Sequence, residues 1–214
     1  MLIDPIDDLP HREEPSLVEQ WQFDFWSPEH DLGGWTHFTY DQSSRKGWYV
    51  TVLVGVDRQI VLVVDPKIQI PQLTQYLEFR AEGIWAQHVC ETPLEHWTVG
   101  LEAFGVTLET PEDAMGNQWG KRTGVGLDLE WEQIGKPEST DSGFSQQCLV
   151  TGEVLIDDEV IDLNAQGWRS RCWSSNLHVI DRPKGNGIGI DVGGIVLTIE
   201  PDFSGQRWNG CLSR

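Results

Sequence analysis

Apolar side chains recur at every second position over most of the chain, and Gly, Pro and Asp interrupt the recurrence at short intervals. Leu127, Leu129 and Trp131 alternate with Asp128, Glu130 and Glu132, the pattern of a strand with one face buried and the other wet. Val99, Leu101 and Ala103 share one face of a second such segment, with Thr98, Gly100 and Glu102 on the other. Gly47 to Val56 is rich in β-branched and aromatic residues, and a similar run from Gln59 to Asp65 follows the turn at Asp57-Arg58, which predicts a hairpin. "GEVLIDDEVIDL" predicts a second hairpin around Asp157-Asp158, and "GIGIDVGGIVLTIEP" and "QRWNGCL" predict further strands towards the C-terminus. Helical periodicity is nearly absent, although the stretch after Pro71 leaves room for one helical turn. Many short strands with turn residues between them predict an all-β, antiparallel barrel or sandwich.

The pattern also divides the chain. Residues 1–20 form an acidic, Pro-rich arm, residues 21–134 a first β unit, 135–147 a polar loop, and 148–214 a second, shorter β unit that completes the barrel or sandwich. At 214 residues, the chain is long enough to bury a core without cross-links. The four cysteines are widely spaced and read as reduced thiols, with no metal-type spacing to histidine.

Charge narrows the partners. Thirty-four acidic residues against fifteen basic ones give a net charge of −19, a field that repels nucleic acid and anionic membrane surfaces. No signal peptide or membrane span is read from the sequence, so a cytoplasmic protein is expected. Eleven tryptophans are the strongest anomaly. Such a number points to aromatic packing between sheets or to an aromatic-lined pocket.

No nucleophile elbow, phosphate-binding glycine loop or HExxH motif is present, and no metal or organic cofactor is expected. Three stretches carry candidate chemistry. Ile84 to Trp97 brings Trp85, His88 and Glu91 together around a turn, an arrangement suited to acid–base work if the carboxyl is kept protonated by burial. Leu32 to Asp41 places Trp35 and His37 on one face and Tyr40 on the other. "LNAQGWRSRCWSSN" packs Trp168, Arg169, Arg171 and Trp173 into one short run. There the arginines either stack on the indoles and pair with carboxylates, or form the polar end of a pocket that binds a carboxylate or enolate oxygen.

The order of "FDFWSPEHDLGGWTHF", "GWYVTVLVG", "LEFRAEGIWAQHVCETPLEHWTVGLEAFGVTLE", "VGLDLEWE" and "CLVTGEVLIDDEVIDLNAQGWRSRCWS" resembles the lipocalin-like superfamily that includes hydroxyneurosporene synthase, the carotenoid hydratase, and the AttH-like proteins. It is most similar to the actinobacterial-type branch, with a shortened C-terminal half. The resemblance implies a lipocalin-like barrel or β-sandwich, built as one or two packed β units. It also implies protonation of an alkene by a carboxylic acid, with aromatic faces holding the cation until water or an internal double bond quenches it. The relatives' G-x-R-D-H-S-W-G pattern becomes Gly167-Trp168-Arg169-Ser170-Arg171-Cys172-Trp173-Ser174 here. Ser170 and Arg171 replace the motif's Asp and His, so the acid must come from elsewhere. Glu91, oriented by His88, and Asp24 are the candidates. Trp35, His37, Trp85, Trp168, Arg169, Arg171 and Trp173 are the candidate substrate-binding residues.

The expected function is therefore a cofactor-independent hydratase or cyclase for an apolar terpenoid, polyene or polyketide-like molecule held in an aromatic-lined pocket inside the β-barrel. The alternatives are a non-catalytic binder of a hydrophobic small molecule and a scaffold filled by its own aromatic residues. A second copy of the chain, in a homodimer, is the other partner considered, should the shortened tail leave a sheet edge uncovered.

Overall fold

The computed structural model describes residues 2–14, 16–55, 58–70, 76–108 and 120–174, the side chains at 66, 67 and 69 excepted, and the backbone of 188–192, 195–202 and 207–213. Among the described residues, fourteen strands follow one another: β1 (Val18–Ser27), β2 (Leu32–Asp41), β3 (Lys46–Gly55), β4 (Ile60–Gln69), β5 (Tyr76–Ala81), β6 (Ile84–Thr92), β7 (His96–Leu108), β8 (Lys121–Gln133), β9 (Glu138–Thr140), β10 (Gly143–Ile156), β11 (Glu159–Ser174), β12 (Ile188–Val192), β13 (Ile195–Asp202) and β14 (Arg207–Ser213). The polar segment 135–147 thus carries β9 and the first residues of β10. Residues 71–75, where the pattern leaves room for a helical turn, lie outside the described residues.

Eight strands, in the order β4-β3-β2-β1-β11-β10-β8-β7, close into an antiparallel barrel through pairing of β4 with β7. The β5–β6 hairpin continues from β7, and β9 pairs with β10. Strands β12, β13 and β14 form a separate three-stranded sheet, with β12 running against β2. Among the described residues, no helix is long and apolar enough to cross a membrane.

The closing seam is short. Among the described residues, Ile60, Val61 and Leu62 of β4 pair with Leu108, Thr107 and Val106 of β7. Gly105 makes this approach feasible, since a Cβ there would lie 2.6 Å from the Leu62 carbonyl oxygen and 2.9 Å from a Val63 methyl.

Period-2 alternation sets what faces inward. Trp21, Phe23 and Phe25 of β1, Phe38 of β2, Tyr49 of β3, Phe79 of β5, Trp97 of β7, Leu129 and Trp131 of β8 and Val150 of β10 belong to one interior cluster. Rings of this cluster interlock. Phe38 stacks on Phe79 at 4.9 Å, and Phe23 meets Trp131 edge-on at 5.3 Å. A second apolar cluster occupies the outer face of β2, β3 and β4 and includes Trp35, Trp48, Val50, Val52 and Leu62. Both faces of β2 and β3 are therefore buried over most of their length.

The N-terminal arm crosses one end of the barrel. A single 3-10 turn at Pro5–Asp8 is closed by a capping box in which Asp4 and Asp7 satisfy each other's backbone amides.

Candidate functional site

Asp24 lies on the outward face of β1, directly across from Trp35 of β2 and Trp168 of β11. A carboxyl is thus set between two indoles in one row over three strands. The glycine of the "GWRSRCW" run explains the close fit, because a Cβ at Gly167 would lie 2.1 Å from the Asp24 carbonyl oxygen. Trp131 anchors the same peptide from inside the barrel, its Nε1 donating to that carbonyl at 3.2 Å.

These residues form one wall of a cleft of about 780 Å³, open to solvent on one side, with Trp26 as a third indole. Gln147 of β10 and Asn164 and Gln166 of β11 add amides to the lining. Asp24 accepts hydrogen bonds from the Trp168 amide at 3.1 Å and from Gln22 Nε2 at 3.4 Å. Burial outweighs these two neutral donors and pushes its carboxyl up from 3.8 to about 6.

The remaining candidates fall into three other places. His37 shares the outward face with Trp35 and stacks on it at 5.4 Å, while Nε2 meets Thr39 Oγ1 at 2.8 Å. Complete burial lowers its pKa to about 3, so the ring is neutral at physiological pH. His88 is sealed inside the barrel against Phe23, Tyr49 and Phe79. Neither of its ring nitrogens has a hydrogen-bond partner among the described residues, and burial again lowers its pKa to about 3.

The pairing of His88 with Glu91 is corrected by the structure. The two residues are three positions apart on β6, and Glu91 is exposed while His88 is fully buried. Glu91 accepts from Thr98 Oγ1 at 3.4 Å. Trp85 is also outside the cleft, on the outer side of the β5–β6 hairpin, where its Nε1 donates to Glu78 at 3.4 Å. Trp173 packs against the arm, its ring centroid 4.8 Å from that of His11.

Arg169 and Arg171 project into the barrel end, on the face of β11 that carries Leu163 and Ala165. Arg169 donates from Nη1 to Asp8 Oδ1 at 2.6 Å, and from Nη2 to Asp8 Oδ2 at 3.0 Å and Gln146 Oε1 at 2.6 Å. Asp8 Oδ2 also receives the Leu94 amide at 2.6 Å and Trp97 Nε1 at 3.0 Å. Arg171 pairs with Glu19, donates to the Leu9 carbonyl at 3.2 Å, and lies 3.9 Å over the Trp21 ring. Burial pushes the Glu19 carboxyl up, but hydrogen bonds from His11 and the charge of Arg171 outweigh it and hold the group below its ordinary value. Both arginines are thus committed to carboxylates of the chain itself. Neither lines the cleft beside Asp24. Sequence reasoning missed Asp8 and Glu19, although two arginines on the apolar side of a strand require buried acids somewhere.

Among the described residues, no three His, Cys, Asp or Glu side chains come together to hold a metal ion.

The fold and site define a closed eight-stranded antiparallel barrel with inward aromatic rings and a cleft on its outer face. The chain belongs to the family described as a domain of unknown function, DUF7064, whose model matches residues 4–175. Comparison with curated proteins gives no match. Among solved structures, it is similar to CghA with Sch210972 at 15% identity and a TM-score of 0.47, covering 94% of this chain and 58% of that one. A second CghA structure gives 14% identity and a TM-score of 0.38 over the same shares. The chain thus spans 58% of the length of CghA. Similarity at this level is distant, and nothing about the function of this chain follows from it.

Proposed function

We propose that the protein takes an apolar terpenoid, polyene or polyketide-like small molecule into the cleft on the outer face of β1, β2, β10 and β11, and that Asp24 transfers a proton to it in a hydratase- or cyclase-type reaction. The observation that carries this reading is the row Trp35–Asp24–Trp168, a half-buried carboxyl between two indoles. Protonation of a substrate alkene by Asp24 leaves a carbocation, and the indole faces stabilise such charge by about 1–2 kcal/mol each when water is excluded. Water or an internal double bond then adds to the cation, and the proton released returns to the Asp24 carboxylate. The reaction draws on no metal or organic cofactor.

The raised pKa of Asp24 supports this role. A carboxyl at about 6 keeps a protonated fraction near neutrality that an ordinary Asp lacks, and a ligand filling the cleft displaces water and raises it further. The resemblance to carotenoid-hydratase and AttH-like proteins agrees with the reading once position 170 is considered. Ser170 pairs with Gln22 and is therefore diagonal to Asp24, one rung away on the neighbouring strand. Asp24 thus puts a carboxyl beside the place where the relatives' motif carries its Asp.

A second reading is a binder without turnover. Its support is that Asp24 already accepts the Trp168 amide and a Gln22 amide, and so also ties β1 to β11. Native mass spectrometry of the protein purified from its own host, followed by incubation of the released ligand with wild type and Asp24→Asn, separates the two. The enzyme reading expects conversion by wild type, and loss of conversion with retained binding in Asp24→Asn. Equal conversion by the variant removes Asp24 from the chemistry. Binding without conversion by either protein leaves the carrier.

A further inference from the structure

The two arginine–carboxylate pairs at the barrel end differ in where the carboxylate comes from. Glu19 belongs to β1 and is fixed by the sheet. Asp8 belongs to the arm, and the donors that it meets lie outside the arm: Arg169, the Leu94 amide, Trp97 Nε1 and, at 4.0 Å, Cys90 Sγ.

Those donors are positioned without Asp8. Gln146 holds Arg169 through Oε1, and its own Nε2 is fixed by the carbonyls of Leu94 at 2.9 Å and Gly135 at 3.0 Å. The Phe144 ring lies 5.3 Å below the Arg169 guanidinium. A fork of two N–H groups, a backbone amide and an indole N–H thus converge on one point, a preorganised arrangement for a planar anion. The arm, by contrast, begins as a self-capped turn with Leu2 93% and Ile6 64% exposed. Further along it, Leu9 packs against the interior cluster and its carbonyl accepts from Arg171, while the His11 amide donates to Glu19.

We propose that Arg169, Trp97 Nε1, the Leu94 amide and Gln146 form a carboxylate-binding site at the end of the barrel, which Asp8 of the arm occupies in cis and which the carboxylate of a small organic acid takes when the arm is displaced. The site faces inward, away from the Asp24 cleft, and is independent of the chemistry assigned there.

Chemical rescue tests it. Asp8→Ala removes the occupant and is expected to lower Tm by roughly 10 °C. Sodium formate, which restores the missing group, raises the variant's Tm saturably by at least half of that loss, whereas sodium chloride at the same concentration does not. Wild type, already occupied, gains nothing specific from formate, and Asp8→Ala/Arg169→Met shows no formate-specific recovery. Equal recovery in chloride, or recovery that persists without Arg169, overturns the proposal. Should Asp8→Ala fail to fold, amide hydrogen exchange of the wild-type chain in molar formate replaces it. The Leu9 amide of the arm then exchanges faster than in chloride while the Leu94 amide stays protected. Unchanged exchange of the arm overturns the proposal equally.

Discussion

Asp8 at the barrel end and Asp24 in the outer cleft are both withdrawn from water, yet the barrel treats them in opposite ways. Asp8 meets a guanidinium, a backbone amide and an indole N–H. Asp24 meets one backbone amide and one side-chain amide, and no cation among the described residues. The first arrangement locks two segments together. The second favours a carboxyl that gains and loses a proton near physiological pH. Period-2 geometry separates the two, since residues 169 and 171 of β11 face the barrel end while residue 168 faces the cleft.

The largest expected effect breaks the ionic side of this contrast. Arg171→Met leaves Glu19 buried without its cation and should cost about 3–5 kcal/mol in urea unfolding. A loss below about 1 kcal/mol would mean that the pair is not closed in solution.

Asp24→Asn tests the other side and has the opposite sign. The folded carboxyl is raised to about 6 from 3.8, so its favourable contribution is complete below pH 3.8 and is lost as pH rises through about 6. Discounted for its partial exposure, that loss amounts to about 2 kcal/mol at pH 8. The variant should therefore match or exceed wild-type stability at pH 8, and its stability profile should be flatter between pH 4 and 6 in denaturant titrations. A variant that is markedly less stable at pH 8 would make Asp24 a structural carboxylate like Asp8.

Trp168→Ala comes next. The side chain is 41% exposed, so less than about 1 kcal/mol of stability should be lost, whereas ligand-induced thermal stabilisation should fall clearly. The smallest effect is a silence. With pKa values lowered to about 3 by burial, His37 and His88 should show no imidazole titration by NMR between pH 5 and 8. Their linkage acts only below the ordinary histidine range, where the unfolded chain binds protons that the folded one refuses, so stability falls as pH drops from about 6.5 towards 3.

Much of the fold is legible in local pattern. Leu127, Leu129 and Trp131 face inward as their alternation requires, and β3 pairs with β4 and β10 with β11 as the β-branched runs and the turn residues between them predict. Strand β2 is less legible, because burial on both faces removes the contrast on which alternation depends. Trp35 and His37 do share a face, but that face is the outer one.

In the candidate site, parity carries more information than proximity in sequence. Glu91 is close to His88 along the chain, but an odd separation in an extended strand sends neighbours to opposite faces. Asp24 is far from Trp168 along the chain, and only the antiparallel register joins them. The arm is the hardest case. An acidic, Pro-rich stretch reads as solvated, and nothing local shows that Asp8 meets Arg169 across 161 positions.

The short pairing of β4 with β7 has a mechanical consequence. A cylinder laced tightly along its other joints and by three rungs at one will unlace there first when warmed or pulled, and the single missing methyl at residue 105 keeps those rungs in reach. Gly105→Ala would then turn a sealed tube into a curled sheet with two raw margins, and margins of that kind recruit strands from other molecules.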